Sequence, residues 1–369
     1  MKIRTITCHH SFNHGAMLQA YALQAYLQSL GHDVQVIDYR PYYMPQLRIN
    51  FNWVPSKFNY LILRQIYRIA KLPYLRLEQR RRNALEQFFK KYIAITDAEY
   101  RSISELKKNP PIADLYIAGS DQIWNTTFEN GKDAAFYLDF GNPKRKISYA
   151  ASFATETLES GTEEFVKNQL GNFDAISVRE SSGLKILQEL GYEGRIVVDP
   201  VFLLNKESWN QFDNADLEDE RYILTYDFEK NGTNIASIAK RIAGLADCKI
   251  YSVSPFKRSY ADKCFVDVSP GMFVALIKHA QCIISNSFHG TAFSMIFEQP
   301  FFVVNREDGL NVRMKDLLSL YGLTERLITL DVPDRLLMRD IYYKPVLERL
   351  QKDIEFSKSY LSEQIGLVK

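Results

Sequence analysis

Residues 281–300, QCIISNSFHGTAFSMIFEQP, hold the side chains of this chain best suited to chemistry. The apolar run Cys282, Ile283 and Ile284 reads as a buried strand and ends in Ser285-Asn286-Ser287. His289 and Gly290 then open an apolar helix. Small polar residues at a strand-to-helix junction gather free backbone N–H groups at a helix N-terminus, which favours an anion. His289 would stand beside that anion, and imidazole is the side chain that exchanges protons near neutral pH.

Other polar stretches occupy strand ends: Asn13-His14-Gly15, Gly119-Ser120-Asp121-Gln122 and Ser177-Val178-Arg179-Glu180. Asp121 has the side chain of a proton acceptor and also of a helix cap. Trp124, just past a strand, could stack on a sugar or pack in a core. Arg179 could grip an anion or pair with Glu180. His9, His10 and His14 share a loop with no acid nearby, so no metal is expected. The patterns G-x-x-x-x-G-K-[ST], G-x-G-x-x-G, G-x-S-x-G and H-E-x-x-H are absent. Kinases, dehydrogenases of the usual type, esterases and zinc proteases therefore lose support.

These loops need strands and helices to carry them. Residues 2–7, 33–39, 114–118, 146–153, 175–178 and 195–198 read as strands of a first series, with helices at 16–30, 75–92 and 181–190. Prolines 41, 45, 55 and 73 are expected to break residues 40–74 into short pieces. A second series reads as strands at 222–226, 249–253, 282–284 and 300–305, with helices at 234–246 and 271–279. Helical patterns follow Asn311 and Pro333. Alternating strands and helices give an α/β fold with parallel sheets. Two such series predict two Rossmann-like domains facing a cleft, with the ligand beyond the carboxyl ends of the strands. The expected division is residues 1–205, residues 206–332, and a helical tail, 333–369, packing back on the first domain.

At 369 residues, 46% hydrophobic and 24% charged, the chain has the composition of an ordinary globular protein. Its four cysteines form no C-x-x-C pair, and no run approaches a membrane span, so a cytoplasmic protein with reduced thiols is expected. The formal charge of +2 is unevenly spread: residues 40–92 carry 12 Lys and Arg against Glu78 and Glu86. Aromatic residues such as Tyr42, Trp53, Phe58 and Tyr74 interleave with Arg80-Arg81-Arg82 there. That pattern suits either a solvated helix or a peripheral contact with an anionic membrane. No motif supports nucleic-acid binding.

The ordered set of motifs resembles the polysaccharide pyruvyl transferases. It comprises Asn13-x-Gly15-Ala16-x-Leu18-Gln19, Gly119-Ser120-Asp121-Gln122-Ile123-Trp124-Asn125, and Ser148-Tyr149-Ala150-Ala151-Ser152-Phe153. Ser177-Val178-Arg179-Glu180, Asp199-Pro200, Ser287-Phe288-His289-Gly290 and Asn311-x-Arg313 complete it. The resemblance implies a fold like the GT-B glycosyltransferases. It implies transfer of the enolpyruvyl carbons of phosphoenolpyruvate onto two hydroxyls of a sugar in a surface-polysaccharide precursor, leaving a pyruvate ketal and phosphate. On that reading Arg179, Arg313, Ser287, Gly290 and Asn13 bind the donor, His289 and Asp121 transfer protons, and Gln122 and Trp124 meet the acceptor. Phosphoenolpyruvate is a co-substrate, and no cofactor is expected. The acceptor could be linked to a lipid diphosphate, which would give a membrane contact through 40–92 a purpose. A glycosyltransferase using a nucleotide sugar, with Glu298 as a donor contact, is the alternative; a non-catalytic glycan-binding or scaffold protein is another.

Overall fold

The computed structural model describes residues 1–9, 13–44, 61–227, 233–305 and 312–368. His10, Asn311 and the aromatic residues between 45 and 60 lie outside them. The first series runs β1 (Lys2–Ile6), α1 (His14–Ser29), β2 (Asp33–Tyr39), α2 (Leu61–Tyr92), β3 (Ile95–Tyr100), α3 (Ile103–Lys108), β4 (Leu115–Ala118) and β5 (Arg145–Ser148). It continues through α4 (Glu163–Leu170), β6 (Ser177–Val178), α5 (Ser181–Glu189), β7 (Arg195–Ile196) and α6 (Lys206–Trp209). The second series is β8 (Tyr222–Tyr226), α7 (Thr233–Ala246), β9 (Lys249–Val253), β10 (Lys263–Phe265), α8 (Pro270–Lys278), β11 (Cys282–Ser285), α9 (Phe288–Ile296) and β12 (Phe301–Val304). After it come α10 (Val312–Tyr321), β13 (Leu327–Ile328), α11 (Asp334–Leu337) and α12 (Tyr343–Gly366).

The strands form two parallel sheets, ordered β3-β2-β1-β4-β5 and β10-β9-β8-β11-β12-β13, with β6 and β7 as a small parallel pair. The inner strands β4, β8, β11 and β12 are buried along their whole length. Parallel strands covered by helices on both faces need such continuous apolar runs, which is why they were legible. β3 was not, because its sequence ITDAEY alternates polar residues at a sheet edge. β10 and β13 are edge strands of three and two residues, too short to show a periodicity.

Two expectations about element length are corrected. The strand predicted over 146–153 stops at Ser148, because Ala150 adopts a left-handed conformation (φ 54°) that ends the ladder. Isolated bridges Asp121↔Ala151 and Ala151↔Val178 instead draw three strand-end loops together. Pro73 does not end its helix: α2 runs through it for 32 residues. The hydrogen bond lost to proline would fall at Ile69, and both residues are exposed, so water can serve the orphaned carbonyl.

The largest buried cluster spans both series, from Ile3 and Leu18 through Trp209 and Phe212 to Phe273 and Phe293. Helix α12 ties the ends together. Its Tyr343 hydroxyl donates to the Gln299 carbonyl (2.6 Å) beside the second sheet. Farther along, its Tyr360 hydroxyl donates to Ser148 O (3.1 Å) at the end of β5.

Candidate functional site

β11 delivers Ser285 and Asn286 to the cleft, and α9 begins two residues later without a side-chain cap. Its first-turn N–H groups carry the positive end of the helix dipole. Gly290 has a packing reason: a Cβ there would lie 2.6 Å from Ser285 Oγ, so only glycine lets α9 sit this close to β11. Ser287 occupies the cap position, with its backbone N–H donating to Ser285 Oγ (3.0 Å).

His289 is buried between parts of the first domain. A Cβ at Gly15 would lie 2.0 Å from its Nδ1. Its Nε2 is 3.7 Å from Asp199 Oδ2, too far for a hydrogen bond. Asp199, given no role by the sequence beyond its place in the Asp199-Pro200 pair, is the central carboxylate here. Its Oδ1 accepts from the Val201 N–H (3.1 Å), and its Oδ2 accepts from Ser120 Oγ (3.0 Å) and from Arg179 Nη1. Burial opposes ionisation of Asp199, but the Arg179 charge and His289 outweigh it and hold the carboxyl far below the usual range.

Arg179 is buried, and burial disfavours its charge; Asp199, Glu180 and Asp121 more than restore it. Arg313, in the first turn of α10, comes from the second domain. Its guanidinium is pushed down to about 10 by burial and by Arg179, so it remains cationic at neutral pH. Among the described residues it pairs with Asp121, Nη1 lying 3.8 Å from Oδ1. Asp121 itself has φ 76°, a left-handed conformation uncommon for a non-glycine residue and often found at functional sites.

Three side-chain pairs thus stand at nearly the same separation: Arg179 Nε to Glu180 at 3.8 Å, His289 to Asp199 at 3.7 Å and Arg313 to Asp121 at 3.8 Å. Arg179 Nε and Nη2, Arg313 Nε and His289 Nε2 have no hydrogen-bond partner among the described residues. Buried donors are rarely left so, and here several meet in one place. Arg179, Asp199, Phe288 and Arg313 also line a cavity of about 460 Å³ that extends between Leu317, Leu320 and Tyr321 of α10 and Val198 and Phe202.

The other predicted residues divide. Asn13 caps α1, its Oδ1 accepting from the Gly15 N–H (2.8 Å), and so orders the glycine that faces His289. Gln122 braces its own loop, accepting from Asn125 Nδ2 (3.0 Å). Trp124 is not available to an acceptor: it is fully buried, stacks on Tyr137 at 5.5 Å and donates to the Phe136 carbonyl (3.0 Å). Glu298 lies beyond the far end of α9 and faces Lys206 (3.4 Å), which removes it as a donor contact. The Arg80-Arg81-Arg82 run is not a free basic face. Arg80 reaches Asp267 (2.9 Å), while Arg81 and Arg82 pair with Glu78 (3.4 and 3.0 Å).

His9 does have an acid partner, Asp38 (3.3 Å), brought by β2 from far along the chain. His14 crosses the cleft instead: its Nε2–H donates to the Val268 carbonyl (3.1 Å) and its Nδ1 accepts from the Tyr226 hydroxyl (3.3 Å). Among the described residues no His, Cys, Asp and Glu group could hold a metal ion. Burial pushes the His14 imidazole down to about 4, the Val268 carbonyl opposing and Arg81 adding to the fall. An unfolded histidine takes up its proton below about pH 6.5, whereas this one stays neutral in the fold. Stability is therefore full above about pH 6.5 and lost as the pH falls toward 4, by up to ~3 kcal/mol. Urea midpoints at pH 7 and pH 5 should show the loss, and His14→Gln should reduce it; an identical pH dependence in that variant contradicts the assignment.

Two parallel α/β domains facing a cleft, with the polar loops at the strand ends, define a protein of the GT-B architecture. The family model for polysaccharide pyruvyl transferase matches residues 13–308, and the chain belongs to that transferase family. Among solved structures it resembles a UDP-N-acetylglucosamine 2-epimerase from Rickettsia bellii (14% identity, 100% of this chain and 97% of that chain, TM-score 0.53). It also resembles a protein assigned as the same epimerase from Listeria monocytogenes (9% identity, 96% and 89%, TM-score 0.54). At such identities the likeness is one of fold. No match to a curated protein was found by sequence.

Proposed function

We propose that this chain transfers the enolpyruvyl group of phosphoenolpyruvate to two hydroxyls of a sugar in a surface-polysaccharide precursor. The observation that supports this reading is the gathering of Arg179, Arg313 and His289, each with a buried nitrogen lacking a hydrogen-bond partner among the described residues, at an uncapped helix N-terminus. Phosphoenolpyruvate carries a phosphate and a carboxylate, and two guanidiniums suit that pair of anionic groups. In the proposed reaction one hydroxyl adds to the enol carbon while the methylene takes a proton from His289. Loss of phosphate then lets the second hydroxyl close the ketal. Of the two hydroxyl protons, one replaces the proton given to carbon and the other leaves with phosphate. Asp121 would accept the proton on the acceptor side.

The acceptor class we favour is a sugar carried on a lipid diphosphate at the cytoplasmic face of a membrane. Exposed Ile66, Ile69 and Tyr74 on the basic helix α2 support a peripheral contact there. No described helix is long and apolar enough to cross a membrane.

Titration calorimetry of phosphoenolpyruvate against UDP-, GDP- and CMP-sugars tests the donor. Phosphoenolpyruvate should bind selectively, and Arg313→Ala should weaken it about 10- to 100-fold, the loss expected for one charge-assisted contact. Binding of a nucleotide sugar in its place would move the chain to glycosyl transfer. Full affinity in Arg313→Ala would take that residue out of the site.

A further inference from the structure

Phe288, the first residue of α9, has no charge and no hydrogen-bonding side chain, yet both guanidiniums of the site lie over its ring. Arg179 Cζ is 4.2 Å from the ring centroid and Arg313 Cζ is 6.0 Å from it. The two arginines come from different domains, one before α5 and the other from α10. Their charges repel, and that repulsion adds to burial in lowering the Arg313 pKa. The acids at hand hold them loosely or on one side only. Arg313 stands 3.8 Å from Asp121, and Arg179 gives Nη1 to Asp199 while its Nε and Nη2 remain without a hydrogen-bond partner.

A carboxylate between two guanidiniums would hold them together, but it would also occupy the donors an incoming anion needs. An aromatic ring attracts cations through the negative potential of its face and consumes no N–H group. We propose that Phe288 is a positioning residue, whose ring holds Arg179 and Arg313 within reach of one doubly anionic donor while leaving their N–H groups open. The inference rests on the donor reading above and adds to it the feature that assembles the two-cation site across the domain boundary. It also gives a large aromatic side chain at a helix start lined by charge a role beyond packing. Phe288 borders the 460 Å³ cavity.

Packing offers a competing explanation, since Phe288 belongs to the large buried cluster. The test therefore varies the ring's electrostatics at nearly constant shape. Phenylalanines with increasing fluorination are incorporated at position 288, alongside Phe288→Tyr and Phe288→Leu, and each protein is titrated with phosphoenolpyruvate and melted without it. Affinity should decline stepwise with fluorination to about 10-fold, one desolvated cation–π contact's worth, with melting temperatures held. Phe288→Tyr should bind like the wild type, and Phe288→Leu at least as weakly as the most fluorinated ring. Affinity indifferent to fluorination and preserved in Phe288→Leu would overturn the ring's role while leaving the donor reading intact. A wild-type protein silent toward phosphoenolpyruvate would overturn the donor reading itself and this inference with it.

Discussion

Gly15→Ala should leave the protein folded and its turnover at the level of a His289→Ala protein. The residue lies in α1, where alanine is favoured over glycine by about 1 kcal/mol, so the helix gains. The added Cβ would, however, sit 2.0 Å from His289 Nδ1, 2.3 Å from its Cγ and 2.7 Å from its Cβ. Rotating the ring relieves only part of this, because the Cβ of His289 is fixed to α9. The two helices must separate by an ångström or more, and a displacement of that size at a reacting group can cost about 100-fold. Phosphate release from phosphoenolpyruvate, with a supporting sugar chosen from a panel of hexosides, reads the loss. A thermal midpoint near that of the wild type would place the defect in the site. Normal turnover would mean that His289 does not act from the position it holds here.

The largest effect on stability should come from Asp199→Ala. The carboxylate is buried and serves four partners: Arg179, Ser120, the Val201 N–H and, more distantly, His289. Its removal leaves Glu180, at 3.8 Å, as the one acid within ion-pair distance of the buried Arg179 guanidinium among the described residues. Breaking a buried pair by deleting one partner costs about 3–5 kcal/mol, and loss of the cap on the turn at Pro200–Leu203 adds ~1 kcal/mol. Asp199→Asn keeps the cap and the shape but removes the charge, so its loss should fall between wild type and alanine. Denaturant unfolding orders the three proteins. If alanine and wild type unfold together, the pair contributes nothing net, which buried pairs sometimes do. Both variants should also bind phosphoenolpyruvate differently from wild type, since Asp199 occupies one edge of Arg179.

The chain's own sequence determined more of the fold than of the site. Concentrated apolar and β-branched residues made β8, β9 and β2 legible to the residue, and the Ser285–Gly290 junction announced a helix N-terminus beside a histidine. The strand-end loops were recognisable because small and polar residues interrupt an apolar rhythm there. Edge strands such as β3 carry no such rhythm, and Pro73 broke a local rule that an exposed helix can tolerate.

What only the tertiary structure decided is which loops meet. Asp199 stood in the sequence only as half of an Asp-Pro pair; one of its oxygens caps a turn, and the other reaches Arg179 and Ser120, 20 and 79 residues away in sequence. Trp124 read as a surface for sugar, but Phe136 and Tyr137 fold back and bury it. Gly15 and His289 carry no mutual signal along 274 positions, yet the closeness of α1 and α9 requires that glycine. Local residue types express propensity and periodicity, which act over a few positions. Pairing of charges, exclusion of a Cβ and sharing of one ring by two arginines depend on distances that exist only after the two domains have packed.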